Sequence, residues 1–524
     1  MSQRTRLPLM LAVALIVAAP LSAQTFTTDD PVIRAMWTEG MERSQVEPLA
    51  QALVDSIGPR LTGTPRKEAG HDWLIHMYQG WGIAAENEQY GTWRGWRRGH
   101  THVDLIEPRI ETLNATLQGW SPGTGRPVEG AVVSLPPAGD AAALERWRNE
   151  VRGNWVLIAH PEVSCRPVDQ WRAFADNATY EAFVARRAQV EQEWQQRLAA
   201  LGVPDSGLTT WLGELGAAGA FTSTWSGGYG THRIFGDREG SIPVIDLSCE
   251  DYGLVHRLAE RRQGPRVRVD ARGELLGTVP AYNTVATIPG TTRPDEYVVL
   301  SAHFDSWIGA PGATDNGTGT VIMMEAMRIL QTVFPNPART IIAGHWGSEE
   351  QGLNGSRGFV ADRPEVVEGL QALFNQDNGT GRIARVSMQG LINAGEHFAR
   401  WLSAIPTELS GPINMTVPGT PSGGGTDHAA FACAGAPGFS LGSDSWDYFR
   451  YTWHTNLDTY DKISLDNLRH NATLVAMLAY MAAEDPEFLD RERRVMPTHR
   501  TTGQPMPWPQ CREPTRSWDG YGRQ

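Results

Sequence analysis

The chain has 524 residues, 41% hydrophobic and 20% charged, which is enough for a large core and for two or three domains. Its 59 acidic residues against 46 Lys and Arg leave a formal charge of -13, which argues against nucleic acid or an anionic membrane surface as a partner. Four cysteines, Cys165, Cys249, Cys433 and Cys511, show no CxxC spacing, so neither a disulfide scaffold nor a thiolate metal site is expected.

The first 23 residues read as a secretory signal peptide. Arg4 and Arg6 form its basic start, "LPLMLAVALIVAAPL" its apolar run, and "LSA" precedes the cut at Gln24. The run is short for a bilayer span, and no other segment is long enough for one. The protein is therefore expected to be secreted or periplasmic, with no membrane attachment after signal removal. In that compartment one or two disulfides can form, and their connectivity stays open.

Residues 28–90 read mainly helical, with "PVIRAMWTEGMERSQVEPLAQALVDSIG" and "RKEAGHDWLIHMYQGWG" separated by the loop "GPRLTGTP". The stretch from about 110 to 275 looks inserted. It carries the strand candidates "GAVVSL", "NWVLIAH" and "SIPVIDLS" around the polar helical run "ATYEAFVARRAQVEQEWQQRLAAL", and no catalytic spacing. From 281 the chain alternates. "YNTVATIPG" and "EYVVLSAHFD" read as strands, and "GTGTVIMMEAMRILQTV" as a helix with Ile322, Ala326, Ile329 and Val333 on one face. There follow the strand "RTIIAGHWG", another helix, "LQALFNQDN" and the strand "PGFSLGS". A closing helix begins at Ser464, a fair N-cap, and the tail after about 490 reads as irregular. This alternation implies an α/β sheet with helices on both faces. The expected divisions are 24–110 and 276–490 for a catalytic domain, 111–275 for the insert and 491–524 for the tail.

In open α/β sheets ligands bind beyond the carboxyl ends of the strands. Here several strand ends carry metal-competent side chains. "VVLSAHFDSW" ends in His303 and Asp305, and its loop continues through "GATDNGTG" with Asp315. "IIAGHWGSEE" ends in Glu349 and Glu350, "ALFNQDNG" in Asp377, and "YTWHTNLDTYDKI" holds His454 before the closing helix. Each alone is more often a solvated or structural residue. Five such positions on one sheet offer imidazole and carboxylate without thiolate, which suits zinc or a similar divalent ion in a catalytic site.

In this order the residues resemble the co-catalytic dinuclear-zinc exopeptidases, the family of bacterial leucyl aminopeptidases, glutamate carboxypeptidase and carboxypeptidase Q. "IGPRLTGTP" resembles the family's amino-terminal signature and "HFDSW…GATDNGTG" its first metal loop. Together with "AHFDSW", the 111–275 insert looks closest to the carboxypeptidase Q branch. The resemblance implies a mixed, mostly parallel sheet flanked by helices, with a protease-associated-like domain inserted. It implies two zinc ions per chain, one held by His303 and Asp377 and the other by Glu350 and His454, with Asp315 bridging. Glu349 would be the general base and Asp305 would orient the His303 imidazole. A cis peptide between Asp315 and Asn316 is implied too.

One position departs from the family pattern. Many relatives have Tyr before the final His as an oxyanion donor; here it is Trp453, so Tyr451, on the same side of an extended segment, is the favoured donor. "GGGTDHAAF" resembles a substrate-pocket loop, which makes Asp427 and His428 candidate substrate contacts, with a Gly-rich structural turn as the other reading. The expected activity is hydrolysis of peptides next to a free amino terminus, as an aminopeptidase or dipeptidase. Carboxypeptidase action on the same site is the alternative. A one-zinc glutaminyl cyclase and a non-catalytic receptor-like relative are weaker readings, because all five ligand candidates and Glu349 are present.

Overall fold

Among the described residues, 28–499 and 501–521 of a computed structural model, fourteen strands join one sheet. The signal peptide expected at 1–23 lies outside the described residues. In chain order the first eight strands are β1 (Ala84–Glu107), β2 (Glu111–Leu113), β3 (Ala115–Leu117), β4 (Val128–Val133), β5 (Trp155–Leu157), β6 (Gly219–Thr222), β7 (Val244–Leu247) and β8 (Arg266–Ile288). The other six are β9 (Arg293–His303), β10 (Arg339–Trp346), β11 (Leu370–Asn375), β12 (Ile383–Ser387), β13 (Asn414–Thr416) and β14 (Gly438–Ser443).

β9 lies between β10 and β11 and runs parallel to both, and β14 continues the parallel set beyond β11. Helices cover both faces, so β10 is buried at every position and shows no polar alternation. On one face Val298, Leu300, Ile341 and Ala343 pack under the helices Thr318–Val333 and Leu465–Glu484. On the other, Val299, Ile342 and Trp346 pack against Phe359 and Phe431. Ile322, Ala326 and Ile329 face the first core, with Val333 half-buried at the helix end. Burial goes all round that helix, taking in Met323, Met324 and Met327. Ser464 stands at the start of the closing helix without a side-chain cap bond.

A second parallel set, β4, β5, β6 and β7, is flanked by antiparallel β3 and joins the first set through β8. The link is a long ribbon: β1 and β8 pair antiparallel from Ala84 opposite Thr287 to Glu107 opposite Arg266, with several bulges that add twist. β8 runs unbroken across position 275. β1 starts inside the segment whose sequence reads as helical, because "AAENEQYGTWRGWRRGH" has too few aliphatic residues to show a period, and β8 fixes its extended state. The core of the second set is built on Trp93, Trp96, Trp120 and Trp155, all fully buried.

Disulfides join Cys165 to Cys249 and Cys433 to Cys511. The second ties the tail to the half of the sheet that holds β9 to β14. Trp508 Nε1 donates to the Ala432 carbonyl (2.9 Å), and Trp518 packs 5.0 Å from Trp120. No helix among the described residues is long and apolar enough to cross a membrane.

Candidate metal centre

His303 is the last residue of β9, Glu349 and Glu350 follow β10, and Asp377 follows β11, so three neighbouring parallel strands deliver side chains to one edge. Asp315 comes from the turn Ala313–Gly317 before the helix Thr318–Val333. His454 follows the helical turn Tyr448–Tyr451. The six converge. Asp315 presents Oδ1 to His303 Nε2 and Oδ2 to His454 Nε2, each at 3.3 Å. His303 Nε2 is also 3.2 Å from Asp377 Oδ1, and His454 Nε2 is 2.8 Å from Glu350 Oε2. Two triads result, His303–Asp315–Asp377 and Asp315–Glu350–His454, with the possible ligand atoms of each within 4.8 Å of one another. Asp315 belongs to both. The Asp315–Asn316 peptide is cis.

Neighbouring groups hold these side chains in place. The Asp458 carboxylate accepts from the backbone N–H of Thr314 (2.8 Å) and Asp315 (3.0 Å). Arg60, from "IGPRLTGTP", is fully buried and donates to the carbonyls of Phe304 (2.7 Å), Pro311 (2.7 Å) and Gly312 (3.0 Å). It thereby pins the loop between His303 and Asp315. Trp453 stacks on His454 with ring centres 3.9 Å apart, and Phe235 meets the same imidazole edge-on. The Ile234 N–H donates to the His454 carbonyl at 2.9 Å, so the segment between β6 and β7 supplies one wall of the centre.

Burial pushes Glu349 well above the usual carboxylate range, and Asp377, Asp427 and Glu350 add to the shift against the opposing field of His303. Burial and the Asp315 carboxylate do the same to Glu350. Asp315 Oδ2, Glu350 Oε1 and His454 Nδ1 are buried without a hydrogen-bond partner. Oxygen and imidazole donors, crowded and unsatisfied, fit divalent cations, whose charge would reverse both shifts. A cavity of about 840 Å³ lined by Arg66, Arg97 and His100 includes none of these residues. The donor chemistry, not cavity size, marks the site.

Asp305 has a further part besides facing His303, whose Nδ1 lies 3.9 Å from its Oδ1. Its carboxylate accepts from the backbone N–H of Glu349 (3.0 Å) and Glu350 (3.3 Å), while its main-chain carbonyl stands 2.9 Å from His303 Nδ1. It fastens the Glu-Glu turn and reaches the imidazole through its backbone. Tyr451 departs from expectation, because Tyr448–Tyr451 is a helical turn, not an extended segment. Its ring lies against Gly228, whose Cβ, if added, would stand 2.6 Å from Cε1. The phenol in the field of Asp315 is Tyr448, buried and raised well above its ordinary pKa by burial, with the Asp315 carboxylate adding to the shift. No spacing distinguishes Tyr448 in the sequence. Asp458 had a weak signal, an Asp in the same loop as His454. Asp427 and His428 are buried beside the centre; burial raises Asp427 to about 7, and the field of His303 and the Ser356 hydroxyl oppose it. Burial lowers His428 to about 4, with Asp377 opposing.

Residues 283–479, which include every one of these ligand candidates, match the sequence profile of Peptidase family M28. That stretch of the chain is similar to peptidase family M28. The chain is 26% identical to carboxypeptidase Q of Mus musculus over 84% of its length and 86% of that protein. To carboxypeptidase Q of Homo sapiens it is 25% identical, covering 84% and 85%. The crystal structure of a peptidase M28 precursor from Shewanella amazonensis SB2B has the same fold, with TM-score 0.64 at 23% identity over 88% of this chain and 98% of that one. BSAP, a zinc aminopeptidase from Bacillus subtilis, superposes with TM-score 0.51 at 17% identity, covering 85% and 96%. The mixed, mostly parallel sheet, with β9, β10 and β11 at its centre, is thus an architecture shared with these structures.

Proposed function

We propose that this protein is an exported, zinc-dependent exopeptidase that hydrolyses short peptides next to a free amino terminus. The observation that carries the reading is the sharing of Asp315 between two ligand triads. Its relatives are named peptidases, and one fold neighbour is named a zinc aminopeptidase. His303 and Asp377 would hold one ion, Glu350 and His454 the other, with Asp315 between them. Bound there, two divalent ions supply Lewis-acid polarisation of the scissile carbonyl and acidify a water molecule.

The chain's own residues do the rest. Glu349, adjacent to a ligand but outside both triads, takes the proton from the attacking water and passes it to the leaving nitrogen. Asp305 holds the backbone of that Glu-Glu turn, and Asp458 and Arg60 hold the loop that carries Asp315. Asp427 is a fully buried carboxylate, and it is suited to receive the substrate's ammonium group. Trp453, Phe235 and Trp307 line the wall around His454 and keep water from the ligands. Two disulfides agree with an oxidising compartment.

The test is release of amino acids from free and N-acetylated di- and tripeptides, with metal measured on the same preparation. Cleavage of the free peptides alone is expected. Equal cleavage of the acetylated set would replace this reading by a carboxypeptidase, and two bound ions with no cleavage would end the exopeptidase reading.

A further inference from the structure

The two histidines of the centre are held in different ways. His303 has its Nδ1 2.9 Å from the Asp305 main-chain carbonyl, the kind of bond that usually fixes a metal-ligating imidazole. His454 has no such bond among the described residues, and its Nδ1 is buried without a partner. Its backbone sits at φ 61°, a left-handed conformation that a non-glycine residue keeps only where its surroundings enforce it. Those surroundings come from the region between β1 and β8. There, between β6 and β7, Ile234 N–H donates to the His454 carbonyl (2.9 Å), and Arg233 bridges antiparallel to Thr455. Asn456 N–H donates to the His232 carbonyl (3.1 Å), and its side-chain oxygen accepts from His232 N–H (3.1 Å). The imidazole itself is held by flat groups. It stacks on Trp453 with ring centres 3.9 Å apart, and Phe235 and Trp307 meet it near edge-on. The Arg233 guanidinium lies over the same indole, 4.6 Å from the ring centre, and donates to the Phe449 carbonyl (3.0 Å).

We propose that Arg233 is a positioning residue for the ion on the Glu350–His454 side: it holds the Trp453 ring against the His454 imidazole, in place of the bond that orients His303. This rests on the ligand assignment above and goes beyond it. One ion comes to depend on the region between β1 and β8, and the other is independent of it. A stacked indole fixes the plane of the imidazole, and so the direction of Nε2 toward Glu350 and Asp315, without using Nδ1. An indole that nothing covers is free to turn away. A guanidinium over its π face is attracted by the ring's quadrupole and, tied to the Phe449 carbonyl in the turn Tyr448–Tyr451, keeps it in place. Trp453 stands where an oxyanion donor was expected; on this assignment it serves the ligand beside it.

The experiment removes metal stepwise from the holoenzyme with a chelator and counts the zinc retained, for the wild type, Arg233→Met and Arg233→Lys. A cation over a partly desolvated indole corresponds to about 3- to 30-fold. Arg233→Met should weaken one ion by about that factor and leave the other at its wild-type affinity. Arg233→Lys keeps a cation over the ring and should recover part of the loss. In Asp377→Ala, where the remaining ion is the one on the His454 side, Arg233→Met should keep its full effect. In Glu350→Ala it should add nothing. No loss in Arg233→Met, equal loss of both ions, or a Lys variant as weak as the Met one would overturn the proposal. Hydrogen exchange in the metal-free protein gives a readout that needs no ion. The amides of 449–456 should exchange faster in Arg233→Met than in the wild type, with Arg233→Lys between them, and equal exchange in all three overturns the proposal. If the wild type binds fewer than two ions, the dinuclear reading fails, and the exchange result still decides Arg233.

Discussion

The M28-like region and the region between β1 and β8 use the same device, a short parallel sheet with loops at its carboxyl edge, yet they treat charge in opposite ways. After β5 the loop carries His160 and Glu162, and Arg187 answers Glu162 with two bonds of 2.9 Å. After β9, β10 and β11 come His303, Glu349, Glu350 and Asp377, and the nearby Arg60 is committed to backbone carbonyls. Topology provides a point of convergence in both places. Where the converging acids are not paired in this way among the described residues, the edge is suited to ions instead.

Breaking the shared ligand should have the largest effect. Asp315→Ala is expected to lose both ions and all turnover, while Glu162→Gln in the other region keeps wild-type metal content and rate. Glu349→Gln should retain its ions and still lose about 100- to 10,000-fold in turnover, as removal of a general base does. Glu350→Ala should lose metal first. Metal analysis and rates on the same samples decide, and an Asp315→Ala protein that keeps two ions would erase the contrast between the two sheets.

A smaller effect sharpens the contrast within the centre itself. Tyr448 is buried in the field of Asp315, whereas Tyr451 packs on Gly228 from the second region. Groups that orient a metal ligand are typically worth 10- to 100-fold in metal affinity or activity. Tyr448→Phe should cost about that much, and Tyr451→Phe little. Metal competition against a chelator, measured beside turnover, separates loss of ion binding from loss of rate. A larger loss in Tyr451→Phe would restore it as the oxyanion donor.

The legible and illegible parts of this molecule divide along physical lines. Strand ends such as "AHFD" and "GHWGSEE" could be read because a buried parallel strand leaves an apolar run and its end is punctuated by charge. The ribbon β1–β8 could not, since its extended state comes from a partner far along the chain. The placing of Tyr451 failed on a local assumption, extension through a segment that turns helically. Asp305 sat at the expected place but used its carboxylate on the next loop, a contact between β9 and β10 that no single-strand pattern contains. Spacing reports what lies along one element; it is silent on what neighbouring elements exchange.

The smallest expected effect lies in the second region and touches stability alone. Asp246, in β7, is fully buried, with Gln118 Nε2 donating to one carboxylate oxygen at 2.8 Å and the other oxygen unsatisfied. Burial raises it to about 7, and the bond from Gln118 opposes the shift. The folded protein therefore keeps a proton that the unfolded chain releases near pH 4. Stability from this group is fully present below that pH and falls as pH rises through about 7. A displacement of this size corresponds to at most about 4 kcal/mol. Asp246→Asn keeps an acceptor for Gln118 but carries no charge to bury. Denaturant unfolding should show the variant gaining about 1–3 kcal/mol over the wild type at pH 8 and nothing near pH 4, with turnover and metal content unchanged. A gain that is the same at both pH values would mean the proton is not held there. A change in metal content would mean the two sheets are less independent than their opposite handling of charge implies.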